Sequence, residues 1–241
     1  MLEFRGVVVI SPHYDDALFS CGAALSGFPG ATILTVYSAV PPAGTPPTDW
    51  DGRCGFMDPQ QAMAVRRAED GRAMAHLHMQ GRALDLLDPR YGGVGAVPRL
   101  RGALAAALAM LRPQLVLLPL GLAHADQGDV GDAVLAVMPL FTGVQWLAYE
   151  ELIHRDEPGR VQARLAMLQQ RRVSATPTTC GGQDFDLKRR ALAECASQLR
   201  GLDASEQGGA SAQPERFWRI ENLPAGGAGP RQAGLRQAAP G

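Results

Sequence analysis

Short apolar runs alternate along this chain with longer stretches in which apolar residues recur at helical spacing. Residues 6–10 form a near-continuous apolar run, as expected of a strand covered on both faces. Residues 32–38, TILTVYS, are rich in β-branched side chains and predict a second strand. Further strands are predicted at 83–87 (ALDLL), 114–118 (QLVLL) and 144–150 (VQWLAYE). Between and beyond them, helical patterns fall at 16–26, 59–78, 98–112, 129–139 and 184–201. Such alternation predicts an α/β fold, Rossmann-like, with a mostly parallel sheet and helices on both faces. Residues 40–58 read as a long Pro- and Gly-rich loop, functional or mobile, and 204–214 as a flexible insertion. Residues 1–220 are read as a single domain, and 221–241, which lack a core pattern, as a disordered tail. No internal repeat is evident.

Composition narrows the function classes. The 241 residues are 46% hydrophobic, enough for a substantial core. A net charge of −1 gives no electrostatic footprint for nucleic acid or anionic lipid, so neither is expected as a partner. A homo-oligomer is compatible with the sequence. The four cysteines, Cys21, Cys54, Cys180 and Cys195, form no CxxC pair, and reduced thiols in a cytoplasmic protein are expected. The N-terminal apolar run is too short for a signal peptide, and no segment reaches the ~20 apolar residues of a spanning helix.

The chemistry concentrates where the first predicted strand ends, in SPHYDD. In doubly wound sheets, ligands bind beyond the carboxyl ends of the strands. His13, Asp15 and Asp16 stand there, at the start of the next helix. One carboxylate is explained as a helix cap; the second acid and the imidazole are not. Adjacent carboxylates repel unless a cation lies between them. Imidazole with carboxylate suits zinc, leaving one acid free to accept a proton from an activated water. On spacing alone, the cap and the metal site both stand. A second cluster, His124, Asp126, Gln127 and Asp129, follows the fourth predicted strand in PLGLAHADQGDV. If strands one and four are neighbours, both clusters face one crevice. No glycine-rich turn follows the first strand, which argues against a nucleotide-binding module.

SPHYDDALFSCGAAL resembles the first motif of the LmbE-like, or PIG-L, zinc-dependent N-deacetylases. WDGRCGFMDPQQAMAVRRAEDGRAMAHL, LDLLDPRY, PLGLAHADQGDV, YEEL and KRRALAECASQL followed by PERFW extend the resemblance from residue 6 to about 219. It implies a zinc-dependent hydrolase, or one using another divalent metal, that removes an N-acetyl or other N-acyl group from an amino sugar or a glycosylated small molecule. His13 and Asp16 would be zinc ligands, Asp15 the general base, and His124 the stabiliser of the oxyanion. Arg67, Asp88 and Tyr14 fall near the substrate pocket. Arg67 would bind substrate hydroxyls or pair with Asp15 or Asp88, and Tyr14 would line the pocket or pack against the 40–58 loop. Asp126 would orient an imidazole or cap a helix.

The chain departs from the family at one ligand. Where the family has His-x-Asp-His, this sequence has His124-Ala125-Asp126-Gln127, which puts Gln127 at the third zinc position. Three outcomes follow. Gln127 ligates weakly through oxygen, or His124 or Asp129 takes its place, or the chain is a weakened member that binds a glycan or metabolite without hydrolysing it.

Overall fold

The computed structural model describes residues 6–92, 96–122, 125–203, 207–208 and 212–223. His124, and the predicted tail from 224 onward, lie outside the described residues. So does most of the predicted insertion at 204–214.

Among the described residues, seven strands form one sheet: β1 (Val7–Ser11), β2 (Thr32–Tyr37), β3 (Gln80–Leu86), β4 (Leu115–Pro119), β5 (Gln145–Tyr149), β6 (Val173–Thr178) and β7 (Phe217–Asn222). Their order is β3-β2-β1-β4-β5-β7-β6. The first five pair in parallel with one another, and β7 runs antiparallel to both β5 and β6. Among the described residues the α-helices are α1 (Asp16–Leu25), α2 (Asp49–Arg53), α3 (Pro59–His76), α4 (Ala96–Leu111), α5 (Ala125–Val137), α6 (Arg160–Gln170), α7 (Phe185–Ala193) and α8 (Ala196–Gly201).

Strand alternation sorts the core into two layers. Val7 and Val9 of β1, with Leu115 and Leu117 of β4, face one layer with Leu18 of α1, Leu77 beyond α3 and Leu192 of α7. Val8, Ile10, Val116 and Leu118 face the other, built with Leu100, Leu104 and Leu108 of α4, Val130 and Val134 of α5 and Leu168 of α6. This is the expected mostly parallel sheet with helices on both faces.

Four features were not expected. The antiparallel pair β6–β7 closes one edge of the sheet, and β7 carries the domain through Asn222, beyond the expected boundary at 220. Helix α6 was unpredicted. The single helix expected at 184–201 is two, α7 and α8. The 40–58 loop contains α2, opened by a reciprocal cap between Thr48 and Asp51. Its contacts are specific: Tyr91 Oη donates to both oxygens of Asp51 (2.8 and 2.9 Å), and Trp50 Nε1 donates to Gln198 Oε1 at 2.8 Å.

Helix α1 is kinked at Cys21 (φ −140°, ψ 18°). A kink there frees the Phe19 carbonyl from its helical partner, the Ala23 N–H. Lys188 Nζ donates to Phe19 O at 2.7 Å and to Glu215 Oε1 at 2.8 Å. Glu215 in turn accepts from the Ala23 and Ala24 N–H groups at 2.9 and 2.8 Å. A buried ion pair thus completes the broken turn and ties the segment before β7 to α1.

Candidate metal and catalytic site

The switch from β1 into α1 is stapled by its own side chains. Ser11 Oγ donates to the His13 carbonyl at 2.6 Å and accepts from Ala17 N–H at 3.0 Å. Asp16 Oδ2 accepts from His13 N–H at 2.9 Å and lies 3.0 Å from His13 Nδ1. Asp15 is held at φ 83°, in the left-handed region, where a short polar residue is tolerated at a cost. Its backbone N–H draws down the pKa of the nearby Asp70 carboxyl.

The sheet order makes β1 and β4 neighbours, with β2 and β5 on opposite flanks, so the switch point lies between them. The turn after β4 therefore meets the turn after β1. Glu151 Oε1 fixes it by accepting from Gly121 and Leu122 N–H at 2.7 and 3.1 Å. Gln127 Nε2 donates to Asp16 Oδ1 at 3.2 Å, on the Nδ1 side of His13. On the other side, His13 Nε2 lies 3.1 Å from Asp88 Oδ2 and 3.3 Å from Asp126 Oδ2. Arg90 Nη2 reaches the same nitrogen at 2.8 Å. Asp88 follows β3, caps the turn at Pro89–Tyr91, and binds Arg90 through Nε (3.1 and 3.0 Å) and Nη2 (2.6 Å). His13, Asp88 and Asp126 offer donor atoms within 4.8 Å of one another, a set that could hold a metal ion.

Burial dominates the electrostatics. It pushes Asp15 up to about 8, opposed by Arg66 and reinforced by Asp16 and Asp70. Burial likewise lifts Glu151 to about 7 and Asp70 to about 6. For Asp88, burial is outweighed by His13 and Arg90, which hold its carboxyl well below the usual range. Burial and Arg90 lower the His13 pKa, but the carboxylates of Asp126, Asp16 and Asp88 bring it up to about 10. With Arg90 seated as observed, a proton on Nε2 would face the guanidinium N–H, so that protonation would displace Arg90.

The two sequence clusters thus meet, with Asp88 added from β3. Asp129 is partly exposed and is not among the groups gathered at His13. Arg67 is exposed; the arginine beside Asp15 is Arg66, at 4.0 Å, and Asp88 pairs with Arg90 instead. Tyr14 is buried against Met63 and Tyr91 rather than the 40–58 loop. Tyr14 and Arg67 share a cleft of about 320 Å³ between α3 and β3, with Asp70 and Arg82. Sequence reasoning missed Arg66, Asp70, Arg90 and Glu151. Only Arg90 carried a local signal, sitting two residues after an acid at a strand's carboxyl end.

The donor set suits a divalent cation. Imidazole and carboxylates converge, and Asp15 Oδ2, Asp126 Oδ2 and Gln127 Oε1 are buried without a hydrogen-bond partner. Fold and site together define a doubly wound α/β protein with a cation-seeking centre at its switch point. Solved structures with this fold include deacetylases. One is a triple mutant of a teicoplanin-pathway deacetylase (21% identity, TM-score 0.73, covering 92% of this chain and 100% of that one). Another is teicoplanin deacetylase in a zinc-inhibited form (19%, 0.72, 92% and 100%). A third is the N,N'-diacetylchitobiose deacetylase of Pyrococcus horikoshii (12%, 0.58, 91% and 85%). No family model and no curated protein matches the chain. At these identities the likeness is one of fold.

Proposed function

We propose that this chain is an LmbE-like hydrolase that uses a divalent metal, zinc by its donor chemistry, to remove an N-acetyl or other N-acyl group from an amino sugar or glycosylated small molecule. The observation that carries this reading is the meeting of His13, Asp15 and Asp16 with Asp126 and Gln127 in one buried crevice. Proposed ligands are His13 Nδ1, Asp16 and the Gln127 amide oxygen. Asp88 and Asp126 then back the far nitrogen of the ring, as carboxylates behind a metal-bound imidazole do. When bound, the ion would polarise the acyl carbonyl, acidify a water and favour the ionised form of Asp15.

The chain's residues do the rest. Asp15, with one oxygen unpartnered, takes a proton from the attacking water and returns it to the departing amine. Arg66, 4.0 Å away, holds that carboxyl in place. His124 keeps the oxyanion role implied by its sequence position. Arg67 and Tyr14, on the 320 Å³ cleft, are proposed to bind substrate hydroxyls. Four free cysteines suit a cytoplasmic location.

The test is acetate release from N-acetylglucosamine-type substrates by zinc-loaded protein. Asp15→Asn should lower kcat by about 10²–10⁴, the range for a lost general base, at unchanged metal content. Equal loss of metal and activity would make Asp15 a ligand. Metal-loaded wild type that binds but never releases acetate would favour the non-hydrolytic reading, to which Gln127 points.

A further inference from the structure

The guanidinium of Arg90 sits where the site calls for positive charge. Its Nη2 lies 2.8 Å from His13 Nε2 and 2.6 Å from Asp88 Oδ2, and its Nε lies 3.5 Å from Asp126 Oδ2. These are the same three residues whose donor atoms could hold a metal ion. Donation from Arg90 into Nε2 requires a lone pair there. For Arg90 to donate there, the ring must be neutral with its one proton on Nδ1, 3.0 Å from Asp16 Oδ2.

Either nitrogen then meets the same obstacle. An ion on Nε2 needs the lone pair that Arg90 occupies. An ion on Nδ1 needs the ring proton moved to Nε2, where it would face the Arg90 N–H. Two N–H donors cannot share that line, so the guanidinium must leave in both cases. It has somewhere to go: its side chain is 31% exposed, against 3% for Asp88 and 5% for Asp126.

We propose that Arg90 is an internal counter-cation that stands against His13 and its carboxylates in the metal-free protein and must withdraw toward solvent before a divalent ion binds. It neutralises the crowded carboxylates, and by competing it sets the metal affinity of the site. This rests on the divalent-ion reading above.

The test is zinc titration of chelator-treated protein in competition with a chromophoric chelator, for wild type, Arg90→Gln and Arg90→Lys. Arg90→Gln should bind zinc at least tenfold tighter than wild type. Arg90→Lys should fall between, because lysine keeps the charge but not the planar fork. Metal-free Arg90→Gln should unfold at a lower temperature than wild type, and the two should converge when saturated with zinc. If wild type binds zinc and Arg90→Gln binds equally or more weakly, the proposal is overturned while the metal reading stands. If neither protein binds zinc, the metal reading itself fails and the inference with it. Should Arg90→Gln not fold, Arg90→Lys decides: tighter binding than wild type supports the proposal, and equal or weaker binding overturns it.

Discussion

Asp15, Asp16 and His13 could be picked out from sequence because they are contiguous and their adjacency is costly without a cation. Residues whose role depends on distant neighbours could not. Glu151 reads as one acid of YEEL, yet its carboxylate holds the Gly121–Leu122 turn that delivers Asp126 and Gln127. Arg90 meets His13 across 77 residues of sequence, a distance no local pattern spans. Glu151 also carries a pH signature. Burial lifts its folded pKa from 4.5 to about 7, so its protonated form stabilises the fold below about pH 4.5 and that stability is lost as pH rises through about 7. Glu151→Gln retains an acceptor oxygen and does not titrate. Urea denaturation at about pH 4 and pH 8 should show the variant gaining on wild type by a few kcal/mol at the higher pH. A constant difference between the two proteins would show that Glu151 does not ionise with a raised pKa.

At the scale of elements, four of the first five strands were legible as apolar or β-branched runs, and β3, QGRALDL, only through the apolar residues of its second half. The last two were not. VSATPT of β6 is half exposed and carries a proline, as an edge strand can, and β7 is partly hidden in a stretch read as a motif. The early start of α5 was obscured by Asp126, Gly128 and Asp129, polar or small residues that serve the site end of the helix rather than the core. The break between α7 and α8 is likewise a matter of tertiary contacts: Ser197 N–H and Oγ donate to the buried Glu69. The Lys188–Glu215 pair joins three segments distant in sequence. Lys188→Met would strand Glu215 in the interior with a broken α1 turn, at a cost of about 3–5 kcal/mol by analogy with other buried pairs. Chemical denaturation measures this directly. A loss below about 1 kcal/mol would mean that the helix kink stands without the pair.

For the molecule as a whole, the sheet order carries the functional meaning. Strands β1 and β4 lie side by side, so two loops more than 100 residues apart in sequence share one crevice, as Gln127 donating to Asp16 across 111 residues records. Sequence patterning predicted the layers and the two loops. The strand order that joins them is set by packing between elements, which periodicity does not encode. Among the described residues, no helix is long and apolar enough to cross a membrane. That one divalent ion belongs in this crevice is tested most directly by calorimetric titration of zinc into chelator-treated protein. One ion per chain, with binding abolished by Asp16→Asn, is the predicted result. Absence of binding, or binding that survives both Asp16→Asn and His13→Ala, would contradict it.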